Sequence, residues 1–506
     1  MTGRRQFLGL GAAAALGAAT PFRFARGADN NTLLFALGTY PATMRPFASS
    51  GNTGNGIKLM IHRMLTSYNA AGELQPELAT WTQPTDTEYV FELREAYFHN
   101  GDPVTAADVA YSLNEIVGEN STAFMKAALE DIQKVEVLGP RKVRVVLKQP
   151  TATFLDLIAT PFVPIISAKS ASAPPEDPIG CGPFTMANRI RGEGFVLKRF
   201  AKYYRQGLPK IETVRATFYA DESLRTAAME NGDVDIIEAV PWQSITGLQG
   251  KPNVKLELGE GGYYYLMFNF TTGRFTDPRV RQAVGFAVDR QAVTNAAFYG
   301  HGRPLGGLPI PDGPSFSLEM AGEPFTRDVA KAKKLMVEAG YANGFSVNVP
   351  SMSNVSAFQR AGQVVKENLA EIGIEVNLVL ADYARYTTSC NRGQYEFAVY
   401  GATGIYNDPD AISSMLIGPP SYLRSFGYRS PRVEAMLSKG RGELDPTKRR
   451  VIYADLQKAC GEEGPLIGLS WRAQGYATKP SVKGFANMPY FLSVYSPILM
   501  ESVSLG

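Results

Sequence analysis

The stretch FSVNVPSMSNVSAFQRAGQVVKENLAEIGIEVNLVL, residues 345–380, decides the fold. FSVNVP (345–350) reads as a strand, AFQRAGQVVKENLAEIG (357–373) as a helix and IEVNLVL (374–380) as a second strand. Together they make a β-α-β unit, the crossover that a parallel sheet requires. The chain is therefore expected to be α/β.

The flanking segments continue the alternation. DVAKAKKLMVEAGY (328–341) is a helix closed by Gly340. DPRVRQAVGFAVDRQAVTNAAF (277–298) reads as one helix. Asp277 suits its N-cap, Pro278 its first turn, and Val280, Val284, Ala287 and Val288 share a face. YYYLMFNF (263–270) is a long apolar strand, and EFAVYGA (396–402) is another. DPTKRRVIYADLQKACGEEG (445–464) starts a helix at Asp445 and Pro446. In the N-terminal half, TLLFALG (32–38), YVFELRE (89–95), KVRVVLKQP (142–150), FVLKRF (195–200) and TVRATFY (213–219) read as strands. TAADVAYSLNEIV (105–117) reads as a helix capped by Thr105, and SASAPPEDP (170–178) as a short linker. This pattern fits at least two lobes.

A length of 506 residues suggests about two to four domains. The chain is 45% hydrophobic and 20% charged, an ordinary globular balance. Its start departs from that balance. MTGRRQFLGLGAAAALGAATPFRFARGA carries Arg4 and Arg5, an apolar stretch at 7–19, and small residues for cleavage near Gly27 or Ala28. This is the twin-arginine form of an export signal, residues 1–28. Past it, no apolar run reaches the ~20 residues of a membrane span. Residues 1–27 hold four arginines and no acid, so the remainder has 47 basic against 48 acidic residues. The positive charge of the full chain thus belongs to the signal and gives no argument for nucleic acid or anionic membrane.

The residues offer little catalytic chemistry. Cys181, Cys390 and Cys460 form no CxxC and no disulfide framework, and are expected to be unpaired or buried. His62, His99 and His301 fall in no HExxH motif or Cys/His cluster. Nucleophile-elbow and P-loop motifs do not occur, and GNTGNG (51–56) is expected to be a flexible loop. No metal or cofactor is expected.

Several segments resemble the peptide/nickel family (family 5) of extracytoplasmic solute-binding proteins, the receptors of ABC importers. GELQPELATWTQPTDTEYVFELREAYFHNGDPVTAADVAYSLNEI (72–116) is similar to the family signature GxLxPxLAxxW followed by FHxGxPxTAxDV. PIGCGPF (178–184) is similar to PxGTGPF, with Cys181 in place of Thr. ESLRTAAMENGDVDII (222–237), YYLMFNFTTGRFTDPRVRQAVGFAVDRQAV (264–293), NDPD and YRSPRVEAML follow in family order. The resemblance spans nearly the whole chain after the signal. It implies a two-lobe periplasmic-binding-protein fold, class II, of the large three-subdomain type. Lobe I would be residues 29–268 plus 485–506, with a subdomain at 57–178, and lobe II residues 269–484. YYYLMFNF and the stretch around YATKPSVKGF would be the crossovers. Gly101, Gly182 and Pro183 would be turn residues, His99 a packed hydrogen-bonded histidine, and Arg279 and Arg281 fasteners of a helix start.

The resemblance also locates the solute. Peptide-binding relatives have an aspartate after the strand equivalent to EFAVYGA, where it holds the peptide ammonium. This sequence reads Gly404-Ile405-Tyr406-Asn407-Asp408-Pro409, so Ile405 stands in its place. An upstream arginine that holds the peptide carboxylate in dipeptide receptors aligns with Met352. A site lacking both charges should reject free dipeptides. The implied solute contacts are Tyr40, Trp242, Tyr264, Tyr400, Thr403, Ile405, Tyr406, Asn407, Asp408 and Trp471. Asp408 is the one acid there that would replace the lost clamp. The expected function is a periplasmic, monomeric receptor that passes a small solute to an ABC importer permease. Oligosaccharides, opine-like conjugates and modified or longer peptides are the solute classes. An exported hydrolase on a similar scaffold, and a chaperone or sensor, are the alternatives.

Overall fold

The computed structural model describes residues 31–170, 174, 179–353 and 355–506. The expected signal, 1–28, and most of the linker-like stretch lie outside the described residues.

Among the described residues, one mixed sheet of nine strands runs through the molecule. Its order is Phe397–Thr403, Lys255–Phe268, Leu466–Thr478, Ile236–Glu238, Thr32–Leu37, Thr213–Phe218, Gly194–Arg199 and Phe184–Ile190. Gly302–Pro304 lies beside Leu466–Thr478. Thr32–Leu37 sits in the middle and pairs in parallel on both sides. Its side chains alternate between two cores: Leu33, Phe35 and Leu37 enter one, Leu34 and Ala36 the other. Burial on both faces is why TLLFAL has no polar residue after Thr32.

The β-α-β unit is present, as Phe345–Met352, Ser356–Ala370 and Ile374–Ala381, with Phe345 opposite Ile374 in a parallel ladder. Around it, residues between Tyr263 and Trp471 form the largest core. A second core fills the region from Leu59 to Ile165 behind an antiparallel sheet of Ala79–Thr85, Glu88–Leu93, Lys142–Leu147 and Ile132–Gly139. The C-terminal segment returns to this second core through Met488, Leu492, Val494, Tyr495 and Ile498. Glu501 anchors that return. It accepts from Arg63 Nη2 at 2.8 Å and from Arg205, while Arg63 and Arg205 also pair with Glu77.

Three expectations need correction. The helix expected over 277–298 is two helices, Pro278–Ala287 and Arg290–Phe298. Val288 is extended between them, and Asp289 caps the second by accepting from Ala292 N at 2.9 Å. The strand expected at 263–270 begins at Lys255, eight residues earlier. Gly259, Gly261 and Gly262 lower its strand propensity and hide it from a pattern reading. GNTGNG opens a helix, Gly51–Ile61, instead of a loop. Its glycines allow close packing, since a Cβ on Gly56 would lie 2.9 Å from Pro497 Cγ. Gly182, in the bend before Phe184–Ile190, is also a close-approach glycine, because a Cβ there would lie 2.6 Å from the Ile61 carbonyl carbon.

Other signature residues have the structural roles read for them. His99 donates from Nε2 to Gly182 O at 3.1 Å and accepts at Nδ1 from Gly180 N at 3.3 Å. Thr105 donates from its backbone N–H (2.9 Å) and its hydroxyl (2.6 Å) to Asp108 at the helix start. Arg281 donates to the carbonyls of Phe275, Thr276 and Glu463. All three cysteines are buried free thiols.

Candidate functional site

The strands Lys255–Phe268 and Leu466–Thr478 pair antiparallel along nearly their whole length, from Met267 opposite Leu466 to Lys255 opposite Thr478. Beside them opens a cavity of about 610 Å³. Its wall is drawn from distant parts of the chain: Thr39, Asn52 and Thr53, then Glu222 and Arg225, then Glu238 to Trp242. Tyr383 and Tyr400–Thr403 face them, and Arg472–Tyr476 forms the floor. This is the size and composition of a small-molecule site, with aromatic faces and a few placed polar groups.

Local sequence explains how each group is presented. The turn after Ile236–Glu238 brings Trp242 to the cavity through Ala239, whose φ of +49° is in the left-handed region. That conformation costs a non-glycine residue about 1–2 kcal/mol. Arg225 holds the turn by donating from Nη2 to Ala239 O at 3.0 Å and from Nη1 to Tyr219 O at 3.2 Å. Trp242 is locked by its own Nε1–H, which donates to Ala473 O at 2.8 Å, and by edge contact with Phe298. Glu238 is buried and accepts from Gly38 N at 2.7 Å and from the Thr53 hydroxyl. Burial raises its carboxyl above the usual carboxylate range, against the pull of those donors. On the opposite wall, Tyr400 packs among Tyr265, Tyr386 and Tyr422. Thr403 reaches Gly261 O from its hydroxyl at 3.4 Å.

The sequence model of the bacterial extracellular solute-binding proteins, family 5 Middle, matches residues 73–422. The chain belongs to this family. It is 26% identical over 492 residues to the glutathione-binding protein GsiB of Escherichia coli (strain K12), covering 94% of this chain and 96% of that one. It is 36% identical to the periplasmic binding protein AgaA of A. tumefaciens R10, solved in complex with agropinic acid. That structure superposes with a TM-score of 0.85 over 94% of this chain and 99% of the other. DppA of Helicobacter pylori, solved with the peptide STSA, shares the fold at a TM-score of 0.80 and 22% identity, covering 94% and 98%. The two-lobe solute-receptor architecture and function follow from the family.

Within this family 5 receptor, the ten residues expected at the solute divide into two groups. Trp242, Tyr400 and Thr403 line the cavity. The other seven are outside its lining. Tyr40 turns away from it, accepting from Arg189 Nε at 2.9 Å and stacking on Phe195, while its neighbours Gly38 and Thr39 face the space. Tyr264 is buried between Phe298 and Phe358, and Trp471 between Tyr263 and Phe491. The loop after the strand Phe397–Thr403 crosses to the N-terminal core. Tyr406 is buried in that core, and Ile405 packs against it. Asn407 is held at both ends of its amide, donating to Pro489 O and accepting from Phe491 N, each at 3.0 Å. Asp408 is fully engaged: Arg449 donates to both its oxygens at 2.6 Å, and Asp410 N donates to it at 2.9 Å. Met352 is buried in the C-terminal core.

Sequence reasoning missed Arg225, Glu238, Arg472 and Gln474, all of which line the cavity. A signal for the last two did exist. Arg472 and Gln474 are two apart on one strand, so they share a face. The facing strand carries GEGG at 259–262, which leaves room for both. Seeing this required the pairing register, which is a tertiary fact.

Proposed function

We propose that this protein is exported by the twin-arginine signal at 1–28 and works in the periplasm as a monomer. There it encloses a small solute between a lobe of residues 29–268 with 485–506 and a lobe of 269–484, and delivers it to an ABC importer permease. The solute is not a free dipeptide. Of the remaining classes, an opine-like conjugate is favoured over an oligosaccharide or a modified peptide.

The observation that carries this reading is the loss of the dipeptide ammonium clamp. Ile405 packs against a core, and the nearest replacement acid, Asp408, is taken by Arg449. A free ammonium entering this cavity would meet no available carboxylate from that loop, a penalty of several kcal/mol. The 36% identity with a protein solved in complex with agropinic acid supports the opine-like class.

A thermal-shift panel tests it, using the protein without residues 1–28. The panel holds agropinic acid, glutathione, free dipeptides, blocked peptides, oligosaccharides and nickel. A ligand at about 100 times its Kd should add about 2.7 kcal/mol of stability. A shift with agropinic acid and none with dipeptides is expected. A shift with free dipeptides would overturn the reading.

A further inference from the structure

We propose that Arg472 is the counter-charge for a carboxylate on the solute, with the Gln474 amide as its neighbouring polar contact. This rests on the reading of the cavity as the solute site and names the charge of what enters it.

Four observations carry the assignment. First, Arg472 lines the cavity, and among the described residues no carboxylate and no carbonyl is bonded to its guanidinium. The groups around it are rings: the guanidinium is 5.6 Å from the centre of the Trp242 ring and near the hydroxyls of Tyr263 and Tyr264. Those neighbours hold the arm in place without neutralising it. Burial accordingly holds its guanidinium below the usual arginine range. Second, the other cavity arginine behaves differently. Arg225 donates to two carbonyls and has Glu222 and Glu238 for company. Third, Gln474, on the same face, has a buried Oε1 with no hydrogen-bond partner. A buried amide oxygen left alone is costly, and a donor that arrives with a ligand would satisfy it. Fourth, the space around both side chains is made by glycines. A Cβ on Gly262 would stand 2.5 Å from Arg472 Nε, and one on Gly261 would stand 2.6 Å from Gln474 Cβ.

An arginine fork with no protein partner in a partly enclosed cavity suits a carboxylate, which it grips through two parallel N–H donors. The adjacent amide oxygen suits a hydroxyl or N–H on the same solute. Trp242, Tyr400, Thr403 and Thr53 then supply ring faces and hydroxyls for the rest of it.

Two readouts test this, one of which needs no solute. Arg472→Met keeps the stem and removes the charge. If Arg472 serves a ligand, the solute-free variant should unfold at the same temperature as the parent or higher, because an unpaired cation has left a partly enclosed site. A fall of more than about 5 °C would show that the arginine holds the fold together and would overturn the proposal. The second readout is calorimetric titration with agropinic acid and with its methyl ester. Arg472→Met should weaken the acid about 100-fold or more, with Arg472→Lys between the two, and should leave the ester nearly unchanged. Equal loss for acid and ester, or no loss, would overturn the proposal. If the parent protein binds only neutral members of the panel, the receptor reading stands and the carboxylate assignment falls. If it binds nothing, the receptor reading for this cavity fails, and the first readout alone decides whether Arg472 is structural.

Discussion

Asp408 and Arg449 form a two-pronged ion pair, with both carboxylate oxygens 2.6 Å from guanidinium nitrogens. Arg449 is almost wholly buried, and among the described residues Asp408 is the one carboxylate bonded to it. It also donates to Ser315 Oγ at 2.9 Å and to Gly440 O at 2.9 Å, so it ties the loop at 404–412 to two other segments. Asp408→Asn should therefore destabilise by about 3–5 kcal/mol. The urea midpoint would show it. Preference among solutes, read in the same thermal-shift panel, should not change.

The cluster of Arg63, Glu77, Arg205 and Glu501 predicts acid sensitivity. Burial alone would raise the Glu501 carboxyl, but Arg63 and Arg205 outweigh it and hold it below the usual range. Its folded value is thus lower than its unfolded value. Its contribution is present above the unfolded pKa, about 4.3, and is lost as pH falls through the folded value. The melting temperature of the parent should drop steeply below about pH 4.3. Glu501→Gln should be less stable at pH 7 and show a shallower drop, which calorimetry from pH 7 to pH 3 would measure.

Asp156 predicts the opposite slope in a different window. It lies in the N-terminal half and faces Asp408 from the other. Burial first, and then Asp408, push its carboxyl up to about 7, against a hydrogen bond from Tyr68 at 2.9 Å and the pull of Arg449. A raised carboxyl gives stability at low pH that fades as pH climbs from about 4 towards 7. Asp156→Asn should gain most over the parent at pH 8 and little at pH 4.5. A gain independent of pH would refute this.

Burial pushes the thiols of Cys181 and Cys390 up to about 12. Thiolate is the reactive form, and neither group reaches solvent. At pH 8 a disulfide-exchange reagent should find no fast-reacting thiol in the folded protein and three after denaturation. Two thiols missing after denaturation would mean a bridge had formed.

Some of this was legible in the residues and some was not. The β-α-β unit at 345–380 and the caps at Thr105, Asp277 and Asp445 were readable because strand and helix periodicity and capping are local. The break at Val288–Asp289 was hidden because the apolar face continues across it. Trp242, Tyr400 and Thr403 were found through the resemblance, which fixes which loops meet. Tyr264 and Trp471 were placed at the cavity by the same reasoning, yet Trp471 points to the other face of its strand from Arg472, and Tyr264, opposite Ser470 on the face of Arg472, is covered by Phe298 and Phe358. Face is set by register, and a bulge between Glu260 and Gly262 shifts it. Arg472 was invisible for the same reason.

The chain has three tryptophans, and they occupy three different settings. Trp81 is half-buried on the outer antiparallel sheet, Trp471 is sealed in the C-terminal core, and Trp242 lies at the cavity wall beneath a guanidinium. Only one of the three indoles lines the cavity. A solute taken up there should therefore shift the emission of Trp242 and leave that of Trp471 as an internal reference, an optical gauge of occupancy that titration would read.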